Sequence, residues 1–340
     1  MCDRFGISSV HEIDKNIANL VPLNTQKSRS SAWKQFESFC SERKYCLNGD
    51  TNIKELSRIM KDFGFNMKKL NGEDYKEEVV KTMWNTVAKL LQKKYYEEYR
   101  VSFDPFTDVI FSSARKAHDA KRKELQRDID KRKRSAASLT LEEHENIVGL
   151  WDEETPDGLQ RKFYHIAAYE LAWRGGEAAK CLVTYFKEKR NNIGELTGRI
   201  IYDPIFEKTA QGGAGRLCEK KWLTNNLKNS DRCPVRLFRK LMDKRGKNIT
   251  TDRLFLTVNP LWKSAHSVGF FKNCPIGRNQ ISTWTKSAAQ KIGLDTKKIK
   301  ITNHSNRSTV VSCLAKAGVG EHQITKISEH SSTSSIKSYL

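Results

Sequence analysis

Four side chains between Ile301 and Leu340 have types and spacing suited to one reaction. The segment reads I-T-N-H-S-N-R-S-T and, further on, E-H-S-S-T-S-S-I-K-S-Y-L, so His304 stands three residues before Arg307 and His330 nine before Tyr339. A tyrosine hydroxyl beside an anion site lined by histidine and arginine is a nucleophile placed for a phosphodiester. Such an attack needs cations to offset the charge growing on the non-bridging oxygens, and a group to protonate the leaving alkoxide. Arginine suits the first task because its planar fork donates two hydrogen bonds to a phosphate and stays charged. Lysine or histidine suits the second, since environment moves their pKa values toward neutrality. A chain built this way would cut and rejoin DNA with no metal, ATP or other cofactor.

Two upstream residues extend the pattern. Arg174 follows an apolar helix in L-A-W-R-G-G-E, and Lys208 precedes a Gly-rich turn in E-K-T-A-Q-G-G. Singly, each member has a plain structural explanation. His330 alone reads as a satisfied histidine, Tyr339 as a packing residue, and Arg174 as a cation at a helix end. The order and spacing of the whole set carry the functional reading.

The elements that must position these residues follow from periodicity. From Thr25 a helical pattern places Trp33, Phe36 and Cys40 on one face, and Ile53 to Phe63 repeats it with Leu56, Met60 and Phe63. Asn71-Gly72 marks a turn. A long third helix carries Val80, Trp84, Val87 and Leu91, and a fourth runs from about Asp108 through Leu125. Residues 23–128 thus read as an all-helical domain behind a lead-in, residues 1–22, and the aromatics at helical spacing read as core. The stretch 120–138 breaks the apolar pattern and reads as a basic linker, centred on residues 129–137 and densest at Lys131-Arg-Lys-Arg134. Phosphate binding, nuclear localisation and a solvated helix end all fit it.

Residues 138–340 mix helices with a little sheet. Thr140-Leu-Glu-Glu143 fits a capping box. A helix from Gln160 to Trp173 stops at Arg174-Gly-Gly-Glu177, and a short helix restarts beyond it. Arg199–Tyr202 and Leu217–Leu223 flank the turn Gln211–Gly215 as a hairpin. Pro234–Lys247 and Asn279–Ile292 read as helices, Leu254–Thr257 as a short strand, and the remainder as helix broken at Gly318 and Gly320. The fold class expected is mainly α with a small β hairpin, an α+β chain.

Sixty-one Lys and Arg against forty Asp and Glu give a net charge of +21 in 340 residues. Such a surface attracts polyanions, and DNA or RNA is the partner expected. Eight cysteines are present without a C-x-x-C pair or zinc-ligand spacing, as expected of reduced thiols in a cytosolic or nuclear protein. The start M-C-D-R-F-G lacks signal-peptide character, and no apolar run approaches the roughly 20 residues of a membrane span. The expectation is a soluble, intracellular protein with no membrane partner.

Over residues 24–340 the chain resembles the tyrosine recombinases, most closely the Crypton-type recombinases of eukaryotic mobile elements and genes domesticated from them. L-A-W-R-G-G-E matches the family's first motif, E-K-T-A-Q-G-G its hairpin lysine, T-N-H-S-N-R-S-T its His-x-x-Arg box, and H-S-S-T-S-S-I-K-S-Y its final box. The resemblance implies a helical, SAM-like core-binding domain at 23–128 and a catalytic domain at 138–340, clamped around duplex DNA in the nucleus. It assigns Arg174 and Arg307 to the non-bridging oxygens, Lys208 to the departing 5′-oxygen, His304 to proton transfer, His330 to the phosphate and Tyr339 to attack. It also implies self-association, as a dimer on one site and a tetramer in synapsis. The rival readings are a domesticated DNA-binding regulator that keeps the fold without the reaction, and a type IB topoisomerase.

Three features depart from the family. Glu329 stands where glycine usually precedes the last histidine, so its Cβ is expected to disturb the turn. Its carboxylate is expected to raise the His330 pKa or to compete with phosphate. Asn306 replaces a frequent glycine. The chain also ends one residue past Tyr339, where many recombinases continue into a segment that docks on a neighbouring subunit, which fits a fragment or a degraded copy.

Overall fold

The chain divides into two compact units between Arg134 and Ser135 in the computed structural model, which describes residues 8–204, 220–264 and 269–339. The first unit is helical: α1 (Val10–Asn19), α2 (Leu23–Glu42), α3 (Ile53–Asn66), α4 (Glu77–Tyr99) and α5 (Ser112–Arg127). Phe36, Leu56, Met60, Phe63, Val80, Trp84, Val87 and Leu91 form one core, so the expected helical stripes are real apolar faces. Asn52 caps α3 by accepting the Glu55 N–H at 2.9 Å. Trp84 ties α4 to α3 through its indole N–H, which donates to the Met60 carbonyl at 3.1 Å, and its ring stacks on His118 at 4.8 Å. The lead-in is helical from Val10, with a Ser9–Glu12 capping box, yet α1 buries no side chain.

The basic stretch begins inside the expected fourth helix. Residues 120–127 are the end of α5, with Leu125 in the core. Its cations are used within the unit: Lys121 pairs with Asp74 at 3.1 Å and Glu124 at 3.0 Å, and Arg122 with Glu77 at 2.7 Å. Lys131 donates to the Asp74 carbonyl at 3.0 Å. α5 is the expected fourth helix, and its lysine stems and ion pairs cover its own core.

The second unit contains α6 (Leu141–Gly149), α7 (Pro156–Glu170), α8 (Pro234–Lys244), α9 (Arg278–Ser282), α10 (Trp284–Lys291), α11 (His304–Lys316) and α12 (Glu321–Ser328). The expected capping box opens α6: Thr140 Oγ1 accepts the Glu143 N–H and Glu143 accepts the Thr140 N–H. Strands β1 (Phe186–Arg190), β2 (Leu196–Tyr202) and β3 (Lys221–Thr224) make an antiparallel sheet, and β4 (Leu256–Val258) pairs with β5 (Phe271–Pro275). The expected hairpin strands do pair, Ile200 with Leu223 and Tyr202 with Lys221; the turn itself lies outside the described residues. β1 was not expected, because F-K-E-K-R has almost no apolar alternation; only Phe186 is buried. The predicted helix 279–292 is two helices, divided at Thr283.

α7 is the central element of this unit. Phe163 and Tyr164 pack in its main core with Trp173, Tyr202, Phe255 and Trp284. Its polar Gln160 is fully buried and pairs with β4, accepting the Leu256 N–H at 2.7 Å and donating to the Leu256 carbonyl at 2.9 Å. The helix therefore has one fixed position against the sheet, and its C-terminal end is correspondingly fixed.

Candidate active site

The site is built from the exit of α7 outward. α7 ends where Ala172 takes a left-handed conformation (φ 48°) and the Trp173 N–H returns to the Ala168 carbonyl at 3.0 Å. Two carbonyls at this negative helix end are met by cations. Lys221 Nζ donates to the Leu171 carbonyl at 2.8 Å, and Arg307 Nη1 to the Ala172 carbonyl at 2.9 Å.

Arg174 follows immediately. Its N–H donates to Glu177 Oε2 at 2.8 Å, and Nη1 reaches Glu177 Oε1 at 3.0 Å and Glu329 Oε2 at 3.3 Å. Nη2 donates to the Glu329 carbonyl at 2.7 Å. The glycine after Arg174 has a steric reason. A Cβ on Gly175 would sit 3.3 Å from the His304 backbone nitrogen, so a larger residue would require the α7 exit and the start of α11 to give by a few tenths of an ångström.

The His-x-x-Arg box opens α11. Thr302 Oγ1 accepts the His304 N–H at 3.2 Å, and Ser305 Oγ accepts the Thr302 N–H at 3.1 Å. Buried Asn303 anchors the turn, donating to the Ile281 carbonyl at 2.8 Å and accepting the Thr285 N–H at 3.2 Å. The three-residue spacing then places His304 and Arg307 on one helix face. Arg307 is 1% exposed. Burial, with Arg174 adding to it, brings its guanidinium down to about 10, so it remains a cation at neutral pH. Asn306, where the family often has glycine, points into the core and donates to Thr285 Oγ1 at 3.2 Å.

α12 delivers the last two members. It ends at Glu329, which holds φ 51° and ψ 41°, a region that favours glycine. The turn nevertheless closes: the His330 N–H reaches the Thr325 carbonyl at 3.0 Å. His330 Nδ1 lies 2.7 Å from Ser328 Oγ and 3.4 Å from Arg307 Nη2. Of the two effects expected of the Glu329 carboxylate, a raised His330 pKa is not found. The carboxylate turns away to Arg174 and to Lys221 Nζ at 3.2 Å, while burial, Arg307 and Arg174 hold His330 down to about 4.

Tyr339 packs against Val311, Ile324 and Ile336, and its carbonyl accepts from Ser312 Oγ at 2.9 Å. Its hydroxyl lies 2.9 Å from His304 Nε2, and its ring centroid 5.7 Å from that of His330. Burial first, then Arg307 and Arg174, lower the His304 pKa, so this imidazole is neutral at pH 7.

Arg174, His304, Arg307, His330 and Tyr339 thus converge from sites up to 165 positions apart in the chain. Lys208 lies outside the described residues. Two further members escaped the sequence reading. Glu177 closes R-G-G-E, and its three-residue offset from Arg174 signals an ion pair. Lys221 shares its strand face with buried Leu223, and that two-residue alternation could have found it.

No protein-family model and no curated protein matches the chain. Solved structures do. The Tn1549 transposon integrase in complex with a circular intermediate DNA aligns over 94% of this chain and 90% of its own, with a TM-score of 0.53 at 13% identity. The XerH site-specific recombinase bound to palindromic difH substrate aligns over 92% and 75%, with a TM-score of 0.57 at 11% identity. A lambda integrase dimer bound to a COC′ core site aligns over 98% and 77%, with a TM-score of 0.52 at 13% identity. The chain therefore has the α+β fold of tyrosine recombinases and integrases.

Proposed function

We propose that this chain is a site-specific DNA recombinase that cleaves and rejoins duplex DNA through a 3′-phosphotyrosyl intermediate, without metal or ATP. The observation that carries the reading is the Tyr339 hydroxyl, 2.9 Å from a neutral His304 Nε2 and set among Arg174, Arg307 and His330. A neutral imidazole can take the phenolic proton as the oxygen attacks phosphorus. The bond from phosphorus to the 5′-oxygen breaks, and that oxygen leaves with a proton supplied by Lys208 in the role the family resemblance assigns it. Arg174 and Arg307 offset the charge gathering on the non-bridging oxygens. The phosphotyrosyl ester retains the bond energy, so attack by a 5′-hydroxyl restores the DNA backbone and the free tyrosine.

The same reading makes duplex DNA the partner, with dimers on one site and tetramers in synapsis. It places the protein in the nucleus, as a Crypton-type recombinase or a gene domesticated from one. The +21 charge supports polyanion binding, and the three fold relatives above are described in complex with a circular intermediate DNA, a palindromic difH substrate and a COC′ core site. A second reading, a DNA-binding regulator that no longer cleaves, is favoured by one observation: the Glu329 carboxylate sits on Arg174. A nicked suicide duplex, selected from a randomised pool by its binding, separates the two. A covalent adduct in denaturing gels that is lost in Tyr339→Phe supports the enzyme; tight binding with no adduct supports the regulator.

A further inference from the structure

We propose that Glu329 is a built-in occupant of the phosphate site, an autoinhibitory latch that the DNA phosphate displaces. The proposal rests on the recombinase reading of the same residues. A carboxylate and a phosphodiester present the same thing to a cationic site: a negative charge shared over two oxygens. Glu329 uses its oxygens in that way, with Oε2 3.3 Å from Arg174 Nη1 and Oε1 3.2 Å from Lys221 Nζ. Its side chain is 9% exposed, so the pairing takes place largely out of water, where it is screened little.

The backbone points the same way. At φ 51° a glycine would be unstrained, whereas glutamate is held in a left-handed turn with its carboxylate aimed into the site. Release requires only rotation of the side chain. The turn is fixed independently by the His330 N–H to the Thr325 carbonyl, the Glu329 N–H to the Lys326 carbonyl and Arg174 Nη2 to the Glu329 carbonyl. With the latch closed, Arg174, Arg307 and Lys221 face Glu177 and Glu329, and little positive surplus remains for an incoming anion. With Glu329 turned out, Arg174 Nη1 loses one of its carboxylate partners. Lys221, tied on its other side to the Leu171 carbonyl, becomes a second phosphate contact. Lys221 is therefore a phosphate ligand held in reserve.

The test uses the full chain as wild type, Glu329→Gln, Glu329→Gly and Glu329→Gln with Arg174→Ala. The glycine variant suits the left-handed turn and covers the case in which glutamine fails to fold. Inorganic phosphate binding is followed by isothermal titration, and single-turnover cleavage on the nicked duplex. Removing one like charge from the site should tighten phosphate binding by about tenfold or more in either single variant. The Arg174→Ala addition should abolish that gain. Unchanged or weaker phosphate binding in both single variants overturns the latch. A gain in phosphate binding with no covalent adduct in any variant upholds the latch and removes the recombinase reading. A Tyr339-dependent adduct with unchanged phosphate binding does the reverse.

Discussion

Replacing Arg307 by lysine should convert a pH-insensitive cation into a titrating one. Arg307 is brought from 12.5 down to about 10 by a site that buries it beside Arg174. That drop corresponds to about 3 kcal/mol of penalty on the charged form. The same penalty on a lysine, starting near 10.4, places its pKa at about 8. Such a lysine is about 90% charged at pH 7 and about 3% at pH 9.5, while arginine remains mostly charged throughout. The cleavage rate of Arg307→Lys relative to wild type should therefore fall about twentyfold from pH 7 to pH 9.5. A baseline loss of about 10² to 10³ at pH 7 is expected as well, because a point ammonium cannot hold the Ala172 carbonyl and a phosphate oxygen together. The assay is the second-order cleavage rate at low duplex concentration, which reports ionisation in the free protein. A relative rate flat to within about twofold over this range, or wild-type cleavage at pH 7, would refute the argument that burial tunes this group.

His304→Gln should lower the cleavage rate by about 10² to 10⁴ with duplex binding retained, since it removes the base 2.9 Å from the Tyr339 hydroxyl. Loss of binding to the same extent would reassign His304 to DNA contact. Gly175→Ala forces a methyl to 3.3 Å from the His304 nitrogen and should reduce cleavage more than stability, read as rate against melting temperature. Acid should destabilise the first unit through His118, held at about 4 chiefly by burial. The folded form resists a proton that the unfolded chain accepts below about 6.5, so stability is intact above that pH and is lost as pH falls toward 4. His118→Phe should remove about 2 kcal/mol of the loss between pH 7 and pH 5 in denaturant titrations. An unchanged slope would contradict it.

The helical framework was legible because burial is periodic. Trp84, Val87 and Leu91 line one face of α4, and Phe36 and Cys40 one face of α2. The site box was legible because a helix start puts His304 and Arg307 on one side whatever surrounds them. Other features depended on partners distant in sequence. The ion pairs of α5 were not legible, because its lysines and arginines are read as bare charge until Asp74 and Glu77 are seen beside them. β1 was hidden because a strand exposed along most of its length shows no alternation. The Glu329 contacts were least visible, since its neighbour in sequence is His330, whereas its partners Arg174 and Lys221 arrive from α7 and β3.

Mass spectrometry of the protein–DNA adduct tests the recombinase proposal most directly. After incubation with the nicked duplex, proteolysis should yield a single peptide carrying a nucleotide 3′-phosphate on Tyr339, with a free 5′-hydroxyl on the released strand. A phosphate on any other residue, a 5′-linked adduct, or a Tyr339→Phe protein that still forms the adduct would contradict it.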